Sequence, residues 1–193
     1  TTRSGNFAFV YNLMLGSDAD NVAFFKGYIP EILIYKNTSI MSGTTATNVE
    51  RWLADKWLPS GTTFNGYAVQ ATAGTFPTVS STKWLHFDET SLNVSSGKVT
   101  SITDKAAFGG VTKTGTPTLS GYTPAVEVAK FKGKSVARYN GSANFKVPGL
   151  SQSADPDFFT MFIVYRFDDI YSTSSDQTMI GAVTNGASPT YNT

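Results

Sequence analysis

Two neighbouring stretches decide the fold: Phe24-Phe25-Lys26-Gly27-Tyr28-Ile29-Pro30-Glu31-Ile32-Leu33-Ile34-Tyr35, and Val49-Glu50-Arg51-Trp52-Leu53-Ala54-Asp55-Lys56-Trp57. Ile29, Ile32, Leu33, Ile34 and Tyr35 form an apolar, β-favouring run, the mark of a strand buried on both faces. Pro30 stands near the start of that strand, where a missing N–H is tolerated. After a polar connection over 36–46, Thr47-Asn48-Val49-Glu50 reads as a capping box and predicts a short helix. Val49, Trp52, Leu53 and Trp57 recur at helical spacing and supply one apolar face. Pro59 and Gly61 stop the helix.

Upstream, Phe7 to Leu15 is a second strand, and Gly16-Ser17-Asp18-Ala19-Asp20-Asn21 is a turn. The two strands are expected to form an antiparallel pair. Asp18, Asp20 and Asn21 are the candidate calcium ligands, since oxygen donors at near-alternating loop positions suit that ion. The remaining ligands of an EF-hand loop are missing, however. Asp and Asn are also favoured in any solvated turn, and that explanation outweighs the metal site.

Downstream, residues 59–82 are rich in Thr, Ser, Gly and Ala, with isolated Phe64, Tyr67, Val69 and Phe76. They are expected to be a linker carrying at most a short strand. A new pattern begins at Lys83 with Trp84-Leu85-His86-Phe87-Asp88. Its strongest strand is Phe158 to Phe167, and Met179 to Val183 is another.

The first half resembles the C-terminal end of concanavalin A-like, laminin-G-like jelly-roll domains. Phe25, Gly27, Ile29, Glu31, Tyr35, Leu53, Lys56 and Trp57 match that pattern at the right spacing. The second half is similar to the N-terminal end of the same family, through Asp104-Lys105, Pro117-Thr118, Gly133, Val136, Arg138, Gly141 and Ser142. It departs where His86 and Phe87 precede Asp88, where Ile102 replaces an aromatic, and where Asn140 replaces an acidic residue. The resemblance implies an all-β, concanavalin A-like jelly-roll sandwich of antiparallel sheets with one short helix. It places the C-terminal part of a module at 1–58, a linker at 59–82 and the N-terminal part of a module at 83–193. Three arrangements could produce this order: a window onto a tandem array, a circular permutant, or sheets completed by strands of other chains. The first and third are favoured.

Composition narrows the function classes. The chain has 193 residues, 40% apolar and 13% aromatic, enough for a real core. Only 15% are charged, and Thr, Ser, Gly and Asn fill the gap, as in extracellular or virion β-proteins. A net charge of +1 offers no footprint for nucleic acid or an acidic membrane. The absence of cysteine excludes disulfides and thiolate metal sites. No apolar run is long enough to insert into a membrane.

Catalytic patterns are missing. The single histidine, His86, sits inside an apolar strand and is expected to be packed there. The related glucanases carry a Glu-x-Asp-x-x-Glu strand motif, which this sequence lacks, and Glu31 stands alone in its strand. Asp88-Glu89 and Asp168-Asp169 are adjacent, so in extended chain they face opposite sides. Lys130, Lys132 and Lys134 would share one face of a continuous strand, expected to be solvated or to protect an edge. Trp52, Trp57 and Trp84 are expected in the core. Tyr28, Tyr122 and Tyr171 are then the candidate ligand-binding aromatics, with Tyr11 and Tyr67 weaker.

The function expected is non-enzymatic, with no obligatory cofactor: a structural or adhesive module of a phage or viral virion. Its partners would be copies of itself, neighbouring subunits or a cell-surface glycan. The alternative is a lectin-like carbohydrate-binding module of a secreted bacterial enzyme or an extracellular adhesin.

Overall fold

A computed structural model describes residues 11–18, 23–37, 41–118, 121, 123–148, 158–168 and 177–184. Its elements in chain order are β1 (Tyr11–Leu15), β2 (Lys26–Asn37), α1 (Gly43–Trp57), β3 (Thr63–Phe64), β4 (Tyr67–Ala68) and β5 (Thr82–Phe87). There follow β6 (Leu92–Ser95), β7 (Lys98–Thr103), β8 (Thr114–Gly115), β9 (Ala125–Phe131) and β10 (Lys134–Asn140). The last three are β11 (Phe145–Val147), β12 (Phe158–Phe167) and β13 (Ile180–Thr184).

The strands form an all-β sandwich of antiparallel sheets that curl into a half-barrel. The larger sheet runs β12-β2-β10-β9-β7-β6, with β5 added beside β2 and β8 beside β7. The smaller runs β11-β1-β13. Strands from 11–37 and from 82–184 therefore share both sheets.

β2 is the hub. Its Ile32 and Ile34 face the core between the sheets, with Leu13, Leu15, Leu85 and Phe145. On its opposite face, Leu33 and Tyr35 meet Val49, Leu53 and Trp57 of α1. Burial on both faces is what the apolar run required. Pro30 lies five residues into the strand, because β2 bulges there. Glu31 pairs with Val164 and Tyr28 with Arg166, so Ile29 and Pro30 together oppose one residue, Tyr165. At a bulge the missing N–H removes no regular ladder bond.

Gly27 brings β2 close to β12. Its φ is +153°, and a Cβ there would lie 2.2 Å from the Arg166 carbonyl oxygen. Gly27→Ala is expected to cost roughly 1–3 kcal/mol through backbone strain. The readout is the urea midpoint; an unchanged value would mean that β12 yields freely.

Three expectations need correction. First, β1 does not pair along β2. It pairs with β11 and β13 instead, and among the described residues the Ser17–Phe24 bridge links the two arms. Gly16 (φ +85°) lies against the Tyr139 ring, where a Cβ would be 2.3 Å away. The chain turns there and crosses from one sheet to the other. Second, α1 starts a turn earlier than the Thr47 capping box implied. Ser42 is the N-cap, its Oγ accepting from the Thr45 amide at 3.2 Å. Third, 132 and 133 (φ +44° and +75°) form a tight turn between β9 and β10. Lys130, Lys132 and Lys134 therefore do not line one strand face.

Residues 59–82 do more than connect. They hold the β3–β4 hairpin, and Phe76 and Val79 pack against the core beneath α1.

Candidate functional site

The side chains that converge most densely are charged, and they sit where α1, β2 and β5 meet. Regular alternation in β2 puts Glu31 on the helix-side face with Leu33 and Tyr35, where it is 1% exposed. Three donors reach its carboxylate: Trp57 Nε1 at 2.6 Å, Lys56 Nζ at 2.8 Å and His86 Nε2 at 3.0 Å. Trp57 and Lys56 are the last two residues of α1, so the helix C-terminus is anchored directly on this strand. A cation in the last turn also complements the helix dipole.

Lys56, 8% exposed, is the centre of the cluster. Besides Glu31, its ammonium lies 3.2 Å from Asp88 and 2.9 Å from Glu89. An ammonium has three N–H donors, and three carboxylates surround this one. Asp88 and Glu89 converge on it, contrary to the expectation of opposite faces. The chain is not extended there: residues 89–91 form a single 3-10 turn, capped by Asp88, which accepts from the Thr90 amide at 2.9 Å. Lys105 adds a bond to Asp88 at 2.8 Å, and Lys134 one to Glu89 at 3.0 Å. Three carboxylates thus face three ammonium groups. Burial on its own would raise the Asp88 and Glu89 carboxyls. The bonds from Lys105 and Lys56 outweigh that at Asp88, and those from Lys56 and Lys134 do so at Glu89, so both are held below the usual carboxylate range. Burial pulls the Lys56 ammonium down, but its carboxylates, Glu31 first, leave it above the usual lysine value.

Glu31, His86 and Asp88 place three ligand atoms within 4.8 Å of one another, a set able to hold a metal ion. The Lys56 ammonium stands within 3.2 Å of both carboxylates. It supplies the positive charge there, and a divalent ion would have to displace it.

Above the cluster opens a cavity of about 570 Å³. One wall is the stretch 71–76, held by a bond from Trp52 Nε1 to the Gly74 carbonyl at 3.0 Å. Trp52 and Phe76 meet edge to face, centroids 4.7 Å apart at 73°. The other walls carry Lys83, Lys105, Lys132 and Lys134. Lys132 bonds to the carbonyl oxygens of Asp55 and Gln70. The Asp55 carboxylate accepts from the Tyr67 hydroxyl and the Gln70 amide, both at 2.7 Å.

Of the residues singled out in the sequence, Tyr28 is 4% exposed and belongs to the core beneath α1. It is not a surface platform; Lys130 lies over its ring at 5.4 Å. Tyr122 and Tyr171 lie outside the described residues, as do Asp20 and Asn21. Asp18 is described, its amide donating to the Ala23 carbonyl at 3.0 Å. His86, Trp57 and Trp84 are buried as expected. Trp52 is only partly buried and lines the cavity, a correction to its core assignment. No family model, no curated protein and no solved structure matches this chain.

Proposed function

We propose that this chain is a non-enzymatic adhesive module of concanavalin A-like jelly-roll type, and that its helix-side cavity binds a saccharide. The observation that carries the proposal is the cavity lining: aromatic groups, Trp52 and Phe76, beside a ring of fixed hydrogen-bonding charges. Sugars are held in this way, by apolar ring contact together with a few well-placed polar groups. The non-enzymatic part is supported by the charge pairing. Asp88 and Glu89 are locked to ammonium groups with carboxyls held low, which suits neither as a general acid near neutral pH. Placement in a virion is supported by composition alone, the low charge and the Thr/Ser/Gly/Asn content.

The test is a screen of the purified protein against immobilised oligosaccharides, followed by titration calorimetry on any hit. Trp52→Ala is expected to keep the fold and to lower affinity about tenfold, or ~1.4 kcal/mol. No binding to any oligosaccharide, or binding indifferent to Trp52→Ala, would sink the proposal.

A further inference from the structure

We infer that the ligand of this cavity carries a negative charge, a carboxylate or a sulfate on the saccharide, and that Lys83 is the group that meets it. This rests on the binding role proposed above.

Every other lysine at the cavity is used by the protein itself. Lys56 serves Glu31, Asp88 and Glu89. Lys105 serves Asp88, and Lys134 serves Glu89. Lys132 is held by two backbone carbonyls. Lys83 makes no ion pair among the described residues. Its ammonium lies 4.0 Å from the centroid of the Phe76 ring, on the cavity wall. The charge count gives the same answer. Five ammonium groups (Lys56, Lys83, Lys105, Lys132 and Lys134) face four carboxylates, Asp55, Asp88 and Glu89 on the wall with Glu31 beneath. Asp55 is taken by Tyr67 and Gln70 and Lys132 by two backbone carbonyls, so among the described residues Lys83 is the one of these ammonium groups with neither a carboxylate nor a carbonyl partner.

Backbone geometry puts it there. Lys83 and His86 are three residues apart in β5, so a regular strand would aim them at opposite faces. β5 bulges instead: Leu85 pairs with Ile34 and Lys83 with Tyr35, leaving Trp84 as the extra residue. Trp84 and Leu85 both enter the core between the sheets. Lys83 and His86 thereby come to the same cavity. Bulges commonly re-aim side chains beside binding sites. Burial depresses the Lys83 ammonium, and attraction from Glu31 offsets this only in part. A partly desolvated cation without a counter-ion is costly, and an anion entering the cavity removes that cost.

The test uses three probes: a galacturonic acid trimer, a sulfated hexasaccharide and a neutral galactose trimer. Each is titrated into wild type, Lys83→Gln and Lys83→Arg, with binding followed by calorimetry and tryptophan fluorescence. At least one acidic probe is expected to bind about tenfold tighter than the neutral one, or ~1.4 kcal/mol. Lys83→Gln should abolish that preference and Lys83→Arg should keep it. Preference for the trimer alone assigns a carboxylate, and for the hexasaccharide alone a sulfate. Neutral binding without acidic preference, or a preference that survives Lys83→Gln, overturns this inference and leaves the saccharide role standing. Binding of none of the probes overturns it together with that role for these sugars. Should Lys83→Gln fail to fold, the wild-type salt dependence decides. Acidic-probe affinity unchanged between about 50 and about 500 mM salt overturns the inference, because screening must weaken a charge contact.

Discussion

Lys56→Met lowers the unfolding free energy by about 3–5 kcal/mol, the cost of removing one partner from a buried ion cluster. Methionine fills nearly the same volume, so the loss reports charge rather than packing. Glu31 is 1% exposed and accepts from Lys56 at 2.8 Å. Without that ammonium its charge is left with the Trp57 and His86 contacts alone. In a domain of this size the melting temperature should fall by roughly 6–20 °C. The pH profile should change as well. In wild type, Asp88 and Glu89 have carboxyls held low. Their contribution is present above the ordinary carboxylate range near ~4 and is lost as pH falls through the folded values. Lys56 is held high, so its contribution is full below about 10.4 and is lost as pH rises beyond that. These groups therefore leave the wild-type curve flat between about pH 5 and about pH 10. In Lys56→Met, Asp88 keeps Lys105 and Glu89 keeps Lys134. The uncompensated charge is at Glu31, and Asp88 and Glu89 each lose one of the ammonium groups that hold their carboxyls low. Their contribution above the carboxylate range therefore shrinks, so the variant should lose less stability than wild type as pH falls from about 7 to about 3, and urea titrations at the two pH values measure it. A variant as stable as wild type, or one losing as much stability on acidification as wild type does, would show that Lys56 is not the keystone.

What could be read in advance followed chain periodicity, and what could not depended on where periodicity breaks. The two-faced burial of β2 was legible because Ile32, Leu33, Ile34 and Tyr35 are all apolar, leaving no polar face. The apolar face of α1 was legible through Val49, Leu53 and Trp57 for the same reason. The cluster was hidden because its carboxylates are brought together by irregular backbone. Asp88 and Glu89 look opposed until a 3-10 turn bends the chain between them. Lys83 looks like a strand's opening residue until the Trp84 bulge moves it onto the face of His86. Lys132 and Lys134 look like one exposed stripe until a tight turn sends both to the cavity rim. Pairing failed for β1 because the chain crosses between sheets at Gly16, whose missing Cβ lets it lie against the Tyr139 ring, a long-range contact that the turn residues alone do not announce. The one advance signal for the site was Glu31 itself. A lone carboxylate inside an otherwise apolar strand must find a buried donor, and Lys56-Trp57 at the helix end supplied two.

Trp57→Ala is expected to cost about 3–5 kcal/mol from the cavity it leaves. Trp57 is 2% exposed and packs with Val49 and Leu53 against Leu33 and Tyr35. It is also a donor to Glu31 at 2.6 Å. Losing that bond adds about 1–3 kcal/mol, because the buried carboxylate cannot turn to water instead. Trp57→Phe separates the two effects: it keeps most of the ring volume and removes the N–H, so about 1–3 kcal/mol should remain. Urea midpoints of the three proteins give both numbers. A Trp57→Phe variant indistinguishable from wild type would mean that Lys56 and His86 satisfy Glu31 without it. The comparison with Trp52 separates holding the helix from holding a ligand. Trp52 lies on the same helix but its ring faces the cavity and Phe76. Trp52→Ala should therefore weaken saccharide binding at a stability cost limited to its Phe76 and Gly74 contacts and below that of Trp57→Ala, whereas Trp57→Phe should lower stability and leave binding unchanged. If both variants lost binding and stability in parallel, helix anchoring and the cavity would be a single unit. The ligand contact could then not be assigned to Trp52.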